Sequence, residues 1–176
     1  MRFTETKLKG AFVIEREPSI DFRGNFARVF CADELKKQGL NFQMVQSNIS
    51  FTAKKETIRG MHYQVEGGEE DKIVTCLKGR ILDVIIDLRR DSETFSRYLM
   101  FELFESDNKM LYVPRGFAHG FLTLEDNCQV LYFVSNFYNP TQERRIRWND
   151  PFFNIKWPIE NPIISEKDAS CQDFKA

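Results

Sequence analysis

The sequence has few residues of the kinds that bind metals or form disulfides. Its 176 residues include two histidines and four cysteines. The cysteines lie far apart and no two of them form a CxxC pair, which argues against a zinc cluster and against a redox motif. We therefore expect reduced thiols in a cytoplasmic protein.

Excess charge of one sign and long apolar segments are also absent. The 25 lysines and arginines nearly balance the 26 aspartates and glutamates, so no overall basic field draws the chain to nucleic acid or to an anionic membrane. Residues 1–20 carry charges throughout, and no apolar run approaches the ~20 residues that span a bilayer. We expect a soluble, unexported protein whose partners include neither nucleic acid nor membrane and which binds any anion locally.

The patterns that are present favour one all-β domain over residues 1–176, since the chain shows no repeat, linker or low-complexity segment. Short runs rich in β-branched and aromatic residues alternate with turn residues, as is typical of a sandwich or jelly roll. One early helix is predicted in ADELKKQG, which Gly39 ends, and one short helix in the tail after Asn149. Beyond residues 72–88, strands are predicted at residues 11–15, 26–30, 44–51, 98–103, 109–113, 120–124 and 129–136.

Residues 72–88, KIVTCLKGRILDVIIDL, contain two β-branched runs around Gly79, which predicts a hairpin. In the second run the even-numbered positions are all apolar, whereas the odd-numbered positions alternate isoleucine with Asp83 and Asp87. A strand with such a mixed inner face is typical of a barrel with a polar interior.

The two histidines lie in RGMHYQ, residues 59–64, and in PRGFAHGF, residues 114–121. The second stretch matches PxGxxH, a motif of the cupin superfamily, whose metal-binding members add an earlier HxH pair. Here Gln64 stands where the second histidine of that pair would be. Two histidines and one carboxylate from VEGGEE could bind a metal. Because the glutamates of that loop, Glu66, Glu69 and Glu70, lie among other charges, they favour a solvated loop and no metal.

His62 lies close in sequence to two cations, Arg59 before it and Lys72 at the start of the next strand. A neutral imidazole accepts protons near neutral pH, and a cation stabilises negative charge that develops on oxygen. These residues favour removal of a proton next to a carbonyl over metal chemistry. The alternative for either histidine alone is a hydrogen-bonded core residue.

The whole chain resembles the dTDP-4-dehydrorhamnose 3,5-epimerase family of deoxysugar nucleotide biosynthesis. The resemblance implies a cupin-like jelly roll (a double-stranded β-helix) with a few short helices, which acts as a homodimer with no metal or organic cofactor. The matching stretches, in chain order, are DFRGNF, VQSNIS, IRGMHYQ, KIVTCLKGRILDVIIDLR, VPRGFAHGFLTLED, LYFVSNFYNP, IRWNDP and ISEKDA.

The same resemblance implies roles for individual residues. His62 would be the general base, and Asp168 would orient it and stabilise its charge. Lys72 would hold the enolate oxygen, Tyr132 would return a proton on the opposite face, and His119 would contact the sugar. For Asp168, Lys72 and Tyr132, the alternatives are a solvent-facing tail residue, a hairpin-edge lysine and a barrel-filling aromatic side chain.

Seven further residues are implied to bind substrate. Arg59 and Arg23 would meet the diphosphate, since guanidinium groups offer forked donors to phosphate oxygens, and Arg23 would serve the site of the partner subunit. The remaining five are Gln46 and Asn48 on one strand face, Tyr138 and Glu143 at the nucleoside end, and Lys167 near the tail. For each cation the alternative is a solvated surface charge.

The chain departs from the family pattern at several positions. Arg28 and Arg115 stand where the family has glutamate, Arg145 stands where it has glycine, and Met61 replaces a leucine. The resemblance implies an isomerase that inverts C3 and C5 of a dTDP-4-keto-6-deoxyhexose through an enolate, in dTDP-L-rhamnose-type biosynthesis. The alternatives are an epimerase that inverts one carbon of a related nucleotide sugar, a cupin 3,4-ketoisomerase and a non-catalytic nucleotide-sugar binding module.

Overall fold

Two antiparallel sheets packed face to face make up most of the protein. The structure is a computed structural model that describes residues 1–175. The described elements, in chain order, are β1 (Arg2–Glu5), β2 (Phe12–Glu15), β3 (Ser19–Asp21), β4 (Gly24–Phe26), α1 (Ala32–Lys37), β5 (Gln46–Thr52), β6 (Ile58–Gln64), β7 (Lys72–Lys78), β8 (Arg80–Asp87), β9 (Tyr98–Phe104), β10 (Lys109–Val113), β11 (Phe117–Thr123), β12 (Cys128–Val134), β13 (Glu143–Arg145) and α2 (Glu166–Ala169).

The strand order is that of a jelly roll, in which consecutive strands repeatedly change sheet. The first sheet has six strands in the order β1-β2-β10-β7-β12-β5, and the second has five in the order β13-β6-β11-β8-β9. A separate hairpin, β3-β4, projects from the sheets. The prediction of an all-β fold with a few short helices is therefore confirmed.

The central strands of both sheets are covered on both faces, which explains why they are so rich in Ile, Leu and Val. Alternate residues of β7 and β10 face either the other sheet or α1: Val74 and Leu111 belong to the central core, whereas Ile73 and Met110 pack with Leu35. On the outer side of the five-stranded sheet, the tail forms a third cluster with the strands, made of Met61, Val84, Ile86, Ala118, Ile146, Phe153 and Ile155.

The predicted hairpin at residues 72–88 is wrong. β7 pairs with β10 and β12, whereas β8 pairs with β9 and β11, so the chain passes from one sheet to the other at Gly79. This glycine has φ +75°, and a Cβ there would lie 2.8 Å from Cys128 Sγ. In the sequence, a glycine turn between two β-branched runs looks the same whether it closes a hairpin or leads from one sheet to the other. The strands that pair with β7 and β8 are distant in sequence, so the local pattern does not distinguish the two.

Other local predictions have mixed outcomes. α1 and the short helix in the tail are confirmed. The strand predicted at residues 26–30 is wrong, because β4 ends at Phe26 and the aromatic residues that follow serve the core instead. The ring of Phe30 lies 5.9 Å from that of Phe42 and 6.0 Å from that of Phe133. The strand predicted at residues 120–124 begins earlier, at Phe117, and therefore includes His119.

Candidate active site

A cavity of about 460 Å³ opens between the two sheets and is closed on one side by the tail. A neighbouring hollow of about 280 Å³ shares three wall residues with it, His62, Lys72 and Tyr132. The main cavity is also lined by Ser50, Thr57, Ile58, Arg59, His119, Phe121, Ile163, Ile164, Ser165 and Asp168.

The two sheets contribute different chemistry to the cavity. His62 and His119 are direct partners on β6 and β11 of the five-stranded sheet. Lys72 and Tyr132 lie on adjacent strands, β7 and β12, of the six-stranded sheet. A molecule in the cavity therefore has imidazoles on one side and an ammonium and a phenol on the other.

A β-bulge at Gly60 brings both Arg59 and His62 to the cavity. Residues three apart on a regular strand point to opposite faces, but the pairing of β6 with β11 shifts by one residue between His119 and Phe121. Gly60 has φ +119°, and a Cβ there would lie 2.6 Å from Gly120 Cα. The close approach of these two glycines permits the shift.

His62 is held by Asp168 of α2, with 2.7 Å between Nε2 and Oδ1. Ser165 caps the helix by accepting from the Asp168 backbone N–H. Burial alone would raise the pKa of Asp168, but the hydrogen bond and charge of His62, with the charge of Arg145, lower it below its ordinary value. An ionised carboxylate requires a donor, so Nε2 carries the proton and Nδ1 of neutral His62 is free to accept one.

His119 forms a second imidazole–carboxylate pair, deeper in the barrel. Its Nε2 lies 2.8 Å from Asp83 Oδ2, and the Asp83 side chain is fully buried. Asp83 belongs to the mixed face of β8 that the sequence predicts to point inward, which is confirmed. His119 lines the cavity, whereas its role as a sugar contact stays a prediction.

Lys72 and Tyr132 are accompanied by Glu70, which also lines the smaller hollow. Lys72 Nζ lies 3.2 Å from Glu70 Oε1, and each side chain is 12% exposed. Burial, reinforced by the negative charge of Glu70, raises the pKa of Tyr132, so its phenol stays protonated at neutral pH. The expectation that Glu70 belongs to a solvated loop is wrong, since the start of β7 turns its side chain into the site.

Arg59 stands at the wall of the main cavity. Its Nε donates to Thr52 Oγ1 at 2.8 Å and its Nη2 donates to the Phe51 carbonyl at 3.1 Å. These contacts hold the planar guanidinium in one orientation, as recognition of an anion with several oxygens requires.

The smaller hollow gathers four of the predicted binding residues. Gln46 and Asn48 line it from β5, together with Tyr138 and Glu143. Gln46 Oε1 accepts from the Tyr138 backbone N–H at 3.0 Å, and the Tyr138 hydroxyl donates to Glu143 at 3.3 Å. The buried Gln64 also lines this hollow, and its side-chain oxygen accepts from the Asn139 backbone N–H at 2.7 Å.

Arg23 and Lys167 are not among the residues that line either cavity. Lys167 is exposed on α2. Arg23 lies on the projecting β3-β4 hairpin and pairs with Asp21, with 2.6 Å between Nη2 and Oδ2. The binding roles of both residues stay predictions.

All three arginines that depart from the family pattern have carboxylate partners. Arg28 pairs with Glu34 at 2.6 Å and Arg115 pairs with the buried Asp71 at 2.8 Å. Arg145 contacts Asp168 and Glu143, so it belongs to the site, which its position in the sequence did not indicate. Its strand neighbour His62 lies 83 positions away (145 − 62), and only the pairing of β13 with β6 brings them together.

Within residues 1–175, no three histidine, cysteine, aspartate or glutamate side chains are grouped as metal ligands. In the same part of the chain, no helix has the length and apolar character needed to cross a membrane.

Comparison with known proteins shows the similarity over nearly the whole chain. A family model described as dTDP-4-dehydrorhamnose 3,5-epimerase matches residues 5–176. The dTDP-4-dehydrorhamnose 3,5-epimerase of Methanothermobacter thermautotrophicus is 39% identical over 177 aligned positions, covering 99% of this chain and 95% of that protein.

Solved structures agree with the sequence comparison. The crystal structure of dTDP-4-dehydrorhamnose 3,5-epimerase from Elizabethkingia anophelis superposes with a TM-score of 0.95 at 38% identity, covering 99% of this chain and 96% of that one. ChmJ, a 3'-monoepimerase from Streptomyces bikiniensis in complex with dTDP-quinovose, superposes with a TM-score of 0.88 at 28% identity, covering 96% and 85%. The near-complete model match and the 39% identical relative show that this chain belongs to the dTDP-4-dehydrorhamnose 3,5-epimerase family.

Proposed function

We propose that the protein is an isomerase that inverts C3 and C5 of a dTDP-4-keto-6-deoxyhexose, in dTDP-L-rhamnose-type biosynthesis. The proposal is supported by family membership and by one geometric observation. A proton acceptor, His62 with Asp168, and a protonated donor, Tyr132, line the cavity from opposite sheets. Inversion needs a proton to leave one face of a carbon and another to arrive on the opposite face.

The first half of each inversion is proton removal. C3 and C5 both neighbour the C4 carbonyl, so loss of a proton from either carbon places the electron pair on the same carbonyl oxygen. His62 Nδ1 takes the proton and becomes imidazolium, which Asp168 stabilises across 2.7 Å. The Lys72 ammonium stabilises the enolate oxygen for either carbon, since the oxygen is shared.

The second half is proton return. The enolate collapses as its carbon takes the proton of the Tyr132 hydroxyl, which restores the C4 carbonyl and leaves a phenolate. Exchange with solvent then returns a proton to Tyr132 and removes one from His62. The raised pKa of Tyr132 makes its phenolate a strong base, which recovers its proton readily at neutral pH.

The nucleotide would extend from the sugar toward Arg59 and the adjoining smaller hollow. Arg59 is the cation of the main cavity wall that suits a diphosphate, and Gln46, Asn48, Tyr138 and Glu143 offer hydrogen bonds in the adjoining hollow. We assign these residues to substrate binding.

A homodimer is part of the proposal. The β3-β4 hairpin exposes Ile20, Phe22 and Phe26, and Phe22 is 97% exposed. Strand β5 is an edge of its sheet and exposes Ile49 and Phe51. Exposed apolar groups on a projecting hairpin and on a free edge suit pairing with a second copy, which would carry Arg23 to the site of the partner.

Subunit mixing tests that placement of Arg23. Arg23→Ala and His62→Asn are each expected to be nearly inactive, but a mixed dimer has one site with an intact His62 and an intact partner arginine. We expect re-equilibrated mixtures to regain activity. If Arg23 served its own subunit, every site in the mixture would carry one lesion and activity would stay absent.

NMR of dTDP-4-keto-6-deoxyglucose with the protein in deuterated water tests the reaction itself. Deuterium is expected at C3 and at C5, with inverted configuration at both carbons. Exchange and inversion at C3 alone would instead identify the protein as an epimerase that inverts one carbon. The similarity to ChmJ, a 3'-monoepimerase, supports that alternative. Migration of the carbonyl would indicate a ketoisomerase, and binding without exchange would indicate a binding module.

A further inference from the structure

Arg145 lies against the carboxylate that holds the base. Its Nε is 3.2 Å from Asp168 Oδ1, the same oxygen that lies 2.7 Å from His62 Nε2. Its Nη2 pairs with Glu143 Oε2. Arg145 and His62 are also direct partners of β13 and β6, so the backbone pairing keeps the guanidinium beside the imidazole–carboxylate pair.

The two contacts on Asp168 Oδ1 differ in kind. His62 makes a hydrogen bond, whereas Arg145 Nε, although buried, has no hydrogen-bond partner among the described residues. The guanidinium therefore acts on Asp168 through its charge rather than through a directed bond. This charge is permanent, because arginine does not lose its proton in proteins, and the Arg145 side chain is only 18% exposed.

We propose that Arg145 is a positioning residue for proton abstraction, whose charge keeps Asp168 ionised and offsets the affinity for protons that Asp168 confers on His62. A base that is too strongly stabilised as imidazolium is already protonated before substrate binds, and it cannot then remove a proton. A cation on the shared oxygen limits that stabilisation, so more His62 is neutral at a given pH.

Several other charged or titratable groups face the same space and set the background for this effect. Glu70 pairs with Lys72, and Glu143 pairs with Arg145, so removal of Arg145 also leaves Glu143 without that cation. Loss of the guanidinium charge and release of the Glu143 carboxylate both favour protonated His62. Removal of Arg145 is therefore expected to raise the titration midpoint of His62. The groups that share cavity walls with His62 are Arg59 and Tyr63 of its own strand, Lys72 and Glu70, His119, Tyr132, Tyr138, Glu143 and Asp168.

The test is an NMR titration of the free protein, which is tractable because the chain has two histidines. His119→Asn removes one ring signal and so assigns the other to His62. Arg145→Gln is expected to move the His62 titration midpoint upward by at least about half a pH unit, the size of a Coulomb effect at a few ångströms near a protein surface. The acidic limb of kcat/KM should move in the same direction.

Two further substitutions separate charge from general disruption. Arg145→Lys keeps the positive charge and should leave the midpoint close to that of the wild type. Arg144→Gln makes the same change one residue earlier, where the side chain bonds the Thr141 carbonyl at 2.8 Å and Glu66 at 3.0 Å instead. It should not move the midpoint.

The inference rests on the proposed function only for the role of His62, because the titration uses no substrate. An unchanged or lowered midpoint in folded Arg145→Gln would overturn it even if the protein is an epimerase. If that variant does not fold, the same measurement on Arg145→Gly decides, since the family pattern has glycine at this position. A merely structural Arg145 would lower activity in these variants without moving the midpoint.

Discussion

The protein contains two imidazole–carboxylate pairs of nearly equal length that differ in depth and in support. His62 and Asp168 are 2.7 Å apart, and the imidazole is 33% exposed at the cavity. His119 and Asp83 are 2.8 Å apart, but that imidazole is 10% exposed and its carboxylate fully buried. The first carboxylate comes from a short helix in the tail, and the second from a central barrel strand.

This difference shows that an imidazole–carboxylate pair does not by itself identify a base. His62 lines the cavity and is the more exposed imidazole, so a bound molecule and solvent can both reach it. His119 shares the cavity but is tied into the barrel wall. If the two pairs divide the roles in this way, matched substitutions in them should differ in size and in kind.

The largest expected effect separates the two histidines directly. His62→Asn should slow deuterium exchange at C3 and C5 by about 10³-fold, within the range that a general base contributes. His119→Asn, the matched change in the other pair, should slow exchange by less than about tenfold and act mainly on KM, because a wall contact affects binding before chemistry. NMR rates over a range of substrate concentrations give kcat and KM for both variants, and a larger loss of kcat in His119→Asn than in His62→Asn would assign the general base to His119.

The next effect concerns the carboxylate of the exposed pair. Asp168→Asn should lower the exchange rate by about 10²-fold, because an amide cannot stabilise the imidazolium that forms during proton removal. Affinity for dTDP should change little, since Asp168 contacts His62 rather than an arginine assigned to the diphosphate. Glu166→Gln makes the same charge change in the first turn of α2 and should behave as wild type in the same assay. Equal losses in both variants would point to disruption of the helix.

A smaller effect is expected where the site binds rather than reacts. Arg59→Ala should weaken dTDP binding by about tenfold or more, since a hydrogen bond to a charged group contributes about 1.5–3 kcal/mol. Calorimetry measures the affinity, with Arg90→Ala as the control, because Arg90 is exposed and outside both cavity walls. An unchanged affinity in Arg59→Ala would remove the arginine from the diphosphate site.

The sequence predicted the fold class because strand composition is a local property. The strand predicted at residues 109–113, for example, has the same bounds as β10 in the structure. The pairing of those strands was harder to predict, since it depends on distant partners. Gly79 therefore predicted a hairpin where the structure has a passage between sheets.

The candidate site shows the same contrast between local sequence patterns and contacts of distant segments. Family motifs predict His62, Tyr132 and Lys72 as site residues, and all three line one cavity. The sequence does not indicate the positions of Glu70 and Arg145 in the site, because their contacts depend on the turn into β7 and on the pairing of β13 with β6. Neither contact has a signature in the residues immediately around it.

In the proposed inversion, a proton leaves toward His62 and another returns from Tyr132 on the opposite sheet. Tyr132→Phe keeps the ring that packs against the core and loses only the hydroxyl. In deuterated water, we expect this variant to incorporate deuterium at C3 and C5 with largely retained configuration, because His62 then reprotonates the enolate from the original face. Inversion of both carbons at the wild-type rate would contradict the account.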